Sequence, residues 1–305
     1  MKKEIVNIPA SIRQKLINLA NLTNQPFNQL KYIYANERFL YRLGLSPYKS
    51  NFVLKGAMAV LNLAIEHPRY TKDIDLLGFT ENSIGNMEEI VREICKIEVK
   101  EDGLFFDINS IRGEVIKEND DYSGVRIKFD ATLGNSKITS LQLDIGVGDA
   151  VYPQPKEEEY LGLLELPKAS IYIYPLESIL SEKIHTLEKY GVLNSRMKDV
   201  FDIWYIASNH RIEGEVLAQA LQATFINRKT SFPKSLIIFD EGYINPLRIN
   251  SWKSLEKKII SSENLPALST VIDQLQFFLS PIMSALYLDE DFVLVWVPSK
   301  NWGWD

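Results

Sequence analysis

Phe52-Val53-Leu54-Lys55-Gly56-Ala57-Met58, followed by Thr71-Lys72-Asp73-Ile74-Asp75-Leu76, is the stretch on which the reading turns. The first run is a short apolar strand that breaks at a glycine and enters an apolar helix, expected from Ala57 to Ile65. The second alternates, with Ile74 and Leu76 on one strand face and Asp73 and Asp75 on the other. Strand residues two apart point the same way, with Cα atoms about 6–7 Å apart. Two carboxylates so placed can share a hard divalent cation, and Mg²⁺ is commonly held by one or two carboxylates plus substrate phosphates. A helix opening at Gly56 offers unpaired N–H groups and the positive end of its dipole, which makes Lys55, Gly56 and Ala57 candidate phosphate contacts. Metal-binding acids beside a phosphate cradle are what phosphoryl or nucleotidyl transfer needs. A second acid pair, Asp289-Glu290-Asp291, has no glycine-opened helix before it and reads as a solvated loop or the start of a strand.

Further along, Leu141, Leu143 and Ile145 share one face of a strand and Asp144 interrupts the other, with Gly146 and Gly148 after it. Alone, Asp144 reads as a solvent-facing acid; with Asp73 and Asp75 it reads as the third member of a metal site. In the helix expected over 175–190, at about 100° per residue, Lys183 falls in the middle of an apolar sector made by Leu176, Ile179, Leu180, Ile184, Leu187 and Tyr190. Such a lysine either snorkels or meets an anion. Ser178, Ser181, His185 and Glu188 fall on the far side, which makes His185 a surface residue. The next helix opens at Arg196-Met197-Lys198-Asp199. Arg196 and Lys198 are candidate phosphate contacts, Asp199 is placed to pair with Lys183, and Asp202 is expected to point to solvent. His67, His185 and His210 show no ligand spacing.

The 305 residues include 34 Lys and Arg against 40 Asp and Glu, a net charge of −6. Residues 1–50 hold eight basic and two acidic side chains, +6, so the remainder carries −12. A basic arm on an acidic body can meet a polyanion, although a charged outer helix face is the preferred explanation. One cysteine, Cys95, excludes an internal disulfide and a cysteine-rich zinc site. No apolar run is long enough to cross a bilayer. Met1-Lys2-Lys3, followed by Glu4 and Asn7, lacks a signal-peptide core, so the expected address is the cytoplasm.

Helices are expected over 9–43 and 86–99. A β-meander follows over 104–146, with a turn at Gly134-Asn135-Ser136 between its clearest strands. The charged, proline-bearing run 152–159 reads as a loop. A last strand is expected at 171–173, then helices over 175–190, 197–208, 213–225, 251–261 and 266–284. The expected fold class is α+β, with a mixed-sheet half over 1–170 and a mainly helical lobe over 171–305.

With these residues in hand, the chain resembles the AbiEii/AbiGii toxin family, a branch of the DNA polymerase β-like nucleotidyltransferases. The carriers are residues 52–58, 71–76, Leu143-Asp144-Ile145, Ser181-Glu182-Lys183 and Arg196-Met197-Lys198-Asp199 with Asp202. The resemblance implies a bilobed molecule with a mixed-sheet nucleotidyltransferase core, flanking helices and a helical C-terminal lobe. It implies Mg²⁺, a nucleoside triphosphate substrate and an antitoxin encoded nearby. Asp73 and Asp75 would hold metal, Asp144 would help deprotonate the acceptor hydroxyl, Lys183 would contact the triphosphate and Asp199 would orient it. Some members add nucleotides to the tRNA 3′ end; a protein or a small molecule is the alternative acceptor. The chain departs from the wider superfamily after Gly56, where Ala57 and Met58 stand in place of a phosphate-gripping hydroxyl. That departure favours a third reading, a nucleotide-binding partner of the antitoxin without turnover.

Overall fold

The computed structural model describes residues 7–63, 71–118, 122–191, 196–256, 259, 265–298 and 300–304. They group into two compact units. The first contains the chain through Asn62, then 71–148 and Lys156–Ile173; the second contains Asp149–Pro155 and the chain from Tyr174 onward.

The first unit is built on a mixed seven-stranded sheet. Its strands are β1 (Phe52–Lys55), β2 (Asp73–Gly78), β3 (Leu104–Glu118), β4 (Tyr122–Leu133), β5 (Ser136–Gly146), β6 (Lys156–Glu159) and β7 (Ser170–Ile173), in the order β3-β4-β5-β2-β1-β7-β6. β1 runs antiparallel to β2 and parallel to β7, and β2 runs parallel to β5. The helices are α1 (Ile8–Thr23), α2 (Phe27–Leu45), α3 (Gly56–Leu63) and α4 (Ile84–Lys96). Asn7 caps α1 by accepting from the Ala10 amide, and Asn24 ends it in the left-handed region that Asn tolerates. Period-two alternation splits the sheet. Ile74, Leu76, Leu143, Ile145, Ile127 and Phe129 are buried on one face. There Phe39 of α2 meets Phe129 and Phe106 at ring distances of 5.4 and 6.2 Å, contacts worth about 0.5–1.5 kcal/mol each beyond area burial. The opposite face carries the charged residues Lys55, Asp73, Asp75, Asp144 and Arg126, together with the buried Val53 and Leu77.

Among the described residues, the basic N-terminal segment does not form a charged arm. Arg38 and Arg42 are buried and converge on the fully buried Asp102, at 3.2 Å and 2.6 Å. Lys31 is buried and donates to the Lys137 carbonyl at 2.7 Å. Lys49 pairs with Glu157. Only Arg13 and Lys15 are exposed cations among the described residues up to 45, and Lys2 and Lys3 lie outside the described residues. Counting charge along the chain could not reveal that an acid at position 102 absorbs two of these cations.

The second unit contains α5 (Leu176–Tyr190), α6 (Met197–Asn209), α7 (Gly214–Asn227), α8 (Pro246–Glu256) and α9 (Leu268–Tyr287). A small sheet, β10-β9-β8, joins β8 (Ile212–Glu213), β9 (Val295–Val297) and β10 (Asn301–Gly303). The apolar run 292–297 is therefore partly a strand of a hairpin, with Trp302 opposite Trp296. Among the described residues no helix is long and apolar enough to cross a membrane.

Other differences are local. Lys156–Glu159, expected as loop, is an edge strand on β7 with every residue exposed. Charge on a sheet edge deters further pairing, so a charged run is compatible with a strand there. α8 starts at Pro246, five residues before the expected helix. The helix after β1 is described as far as Leu63, and His67 lies outside the described residues.

Candidate active site

Gly56 joins β1 to α3 with φ +65°, a left-handed conformation that glycine adopts without penalty. A Cβ at this position would overlap Asp75 Oδ2 and stand 2.7 Å from Asp75 Cγ and 2.8 Å from its Cβ. The glycine is therefore required twice, by its torsion and by the acid packed against it. Ala57 and Met58 are buried, so the two side chains after the glycine belong to the core and neither supplies a hydroxyl.

Asp73 and Asp75 share the half-buried face of β2, while Ile74 and Leu76 are buried behind them. Strand register then lines up a row. Lys55 lies opposite Asp75, Asp75 opposite Asp144, Asp144 opposite Arg126, and Arg126 opposite Glu114. The three sequence-predicted acids therefore meet on one face of one sheet, together with Lys55 and Gly56.

Arg126 is the residue sequence reasoning missed. Its Nε and Nη2 donate to the two oxygens of Asp144 at 2.7 Å each. Gln142 adds a third donor to Asp144 at 3.1 Å. The hydrogen bonds to Asp144, with the charges of Asp144, Glu114 and Asp73, hold the Arg126 pKa above its ordinary value. Among the described residues no group of three or more His, Cys, Asp or Glu is gathered to hold a metal. Asp73 and Asp75 are two carboxylates on one strand face, a donor set of the kind that Mg²⁺ commonly uses together with substrate phosphates. Asp144 is engaged elsewhere.

The second unit carries the other predicted residues. Lys183 is 9% exposed and gives its ammonium to Asp202 at 2.6 Å and Asp199 at 3.1 Å. It does not snorkel. Asp202, expected at the surface, is fully buried. Arg196 lies 3.6 Å from Asp199 and over the Tyr190 ring, and Lys198 is exposed. His185, also expected at the surface, is buried. Arg228 donates toward its Nδ1 at 3.2 Å, so the ring proton is on Nε2, which donates to Thr230 Oγ1 at 2.9 Å. Burial, then the charges of Arg228 and Lys189, lower its pKa to about 4. Both misreadings have one cause. α5 packs on α6 and α7, and α6 also packs on α8 and α9, so neither helix has a solvent face where a single-stripe projection puts one.

A family model described as nucleotidyl transferase AbiEii toxin, type IV TA system, matches residues 38–274. A search of curated proteins found no match. Solved structures similar to the chain include JHP933 from Helicobacter pylori, at 15% identity and TM-score 0.44 over 86% of this chain and 92% of that one. Another is a putative nucleotidyltransferase from H. pylori, at 15% identity and TM-score 0.46 over 85% and 95%. A third is the antibiotic-resistance factor ANT(2″)-Ia, at 16% identity and TM-score 0.38 over 64% and 94%.

Proposed function

The chain belongs to the AbiEii nucleotidyltransferase toxin family, and from that premise we propose that it transfers a nucleoside monophosphate from an NTP to a hydroxyl acceptor, the tRNA 3′ end, with Mg²⁺ held by Asp73 and Asp75. The observation that carries this reading is the packing of Asp75 against Gly56. An acid proposed to hold the cation thereby sits against the turn that opens α3, where backbone N–H groups suit phosphates. A divalent cation bound there supplies charge neutralisation at the transferring phosphate.

The chain's own residues do the rest. The Gly56 turn binds and orients the triphosphate. Lys55, opposite Asp75, adds positive charge beside it. Asp144, on the same sheet surface, receives the acceptor's proton once the Arg126 guanidinium has been drawn from it. In the second unit, Lys183 and Asp199 remain the proposed triphosphate contact and its orienting partner, with Arg196 and Lys198 as further cations, and Asp202 fixes the lysine. The family implies a cognate antitoxin as the genetic partner.

The test is incubation of the full chain with α-labelled NTPs, Mg²⁺ and total tRNA. Label in RNA that disappears with Asp73→Ala is the expected result. Label in protein or in a small molecule would replace the acceptor. Folded protein that labels nothing, with toxicity unchanged by Asp73→Ala, would replace catalysis with a binding role.

A further inference from the structure

A third carboxylate beside Asp73 and Asp75 would ordinarily be counted as a metal ligand. Here the neighbouring strand prevents it. Arg126 takes both oxygens of Asp144 in a planar two-point contact, which guanidinium matches and ammonium does not. Gln142 occupies a further lone pair on the same carboxylate. The pair is partly shielded, with side-chain exposures of 31% for Arg126 and 20% for Asp144. Glu114, across from Arg126, comes no closer than 3.9 Å and is itself held by Lys128 at 2.8 Å, so it does not relieve Asp144 of its partner. Arginine does not lose its proton in proteins, so deprotonation does not open the contact, whereas an anion that competes for the guanidinium does.

We infer that Arg126 is a positioning residue that withholds Asp144 from the divalent cation, leaving a two-carboxylate site until a phosphate group draws the guanidinium away. This rests on the nucleotidyl-transfer reading for the identity of the cation, but it is testable without turnover.

The experiment is Mn²⁺ titration of the full chain, without nucleotide or RNA, read by the free-ion electron paramagnetic resonance signal. Asp144→Asn leaves the Arg126 charge unpaired beside the site and should bind Mn²⁺ somewhat more weakly than the unsubstituted chain by repulsion alone. Arg126→Met should bind it at least about tenfold more tightly, because affinity for a hard cation rises with the number of ligating charges. Arg126→Met combined with Asp144→Asn should return to the starting affinity. Arg126→Lys keeps the charge but loses the fork, and should show a smaller, Asp144-dependent gain; it also serves if Arg126→Met does not fold. Binding in the Arg126→Met, Asp144→Asn chain weaker than in the unsubstituted chain would overturn the inference by making Asp144 a ligand already. Folded Arg126 variants with unchanged affinity would overturn it equally. Failure of RNA labelling would sink the proposed reaction and leave these affinities standing.

Discussion

Gly56→Ala gives the sharpest test of how the turn and the acid are built together. The torsion of +65° costs a residue with a Cβ about 1–2 kcal/mol. The new methyl also meets Asp75. Rotating that side chain clears Oδ2 and Cγ, but Asp75 Cβ, 2.8 Å away, is fixed to its strand. Ordinary carbon contact needs about 3.5–4.0 Å, so β2 and the turn must separate by roughly 0.7–1.2 Å. Overpacking of this kind costs about 1–3 kcal/mol, for a total of roughly 2–5 kcal/mol. Displacement by about 1 Å at a reacting centre can cost about 10²-fold in rate. Urea unfolding should show the stability loss, and RNA labelling should fall by about two orders of magnitude. Repeating the substitution in an Asp75→Ala background removes two of the three contacts, so its stability cost should shrink. A Gly56→Ala chain with unchanged stability and labelling within a factor of about two of the parent would refute the argument, because neither penalty would then exist.

Three further outcomes follow from buried charge. Asp102→Ala leaves Arg38 and Arg42 buried with their shared acid removed, and should cost about 3–5 kcal/mol by urea unfolding; replacing all three with apolar residues should cost less. Glu37 is buried, accepts from the Leu163 amide and has its pKa raised by burial to about 8. Its protonated form is favoured by folding, so its contribution is full below the unfolded value near 4.3 and declines as pH rises toward 8. Unfolding midpoints from acid to alkaline pH should show that decline, and Glu37→Gln should remove it. His185, lowered to about 4, contributes above its unfolded value near 6.5 and loses that contribution as pH falls toward 4. His185→Gln should flatten the acid limb, and nitrogen NMR of the parent should show the proton on Nε2.

Much of the first unit was legible because alternation along strands reports which face is buried. Asp73, Asp75 and Asp144 each stood opposite apolar neighbours, and the structure puts them on one face. Arg126 also stood opposite apolar neighbours, in Val125-Arg126-Ile127, but its partner could not be read. From the turn at Gly134, the register Leu133 to Ser136 and Ala131 to Ile138, extended inward, would set Arg126 against Leu143. An irregularity between Phe129 and Ala131 shifts the pairing so that Arg126 meets Asp144 instead. Bulges of this kind leave little trace in one sequence. In the second unit, Lys183 was visible as a cation inside an apolar sector, and Asp199 as its partner. Asp202 and His185 were misplaced because a helical wheel assumes one buried side, whereas these helices are covered on several.

The strand Lys156–Glu159 ends the sheet with three consecutive glutamates in the open. An uncovered strand margin is a template on which another chain can polymerise, and repulsion between like charges is one way to block it. Glu157 is tied to Lys49 and Ser170, whose hydrogen bonds keep it ionised to lower pH, while Glu158 and Glu159 line the same margin. The margin is thus lined by exposed charge, with Glu157 paired to Lys49 and Glu159 to Lys168, and offers no apolar row on which a further strand could settle.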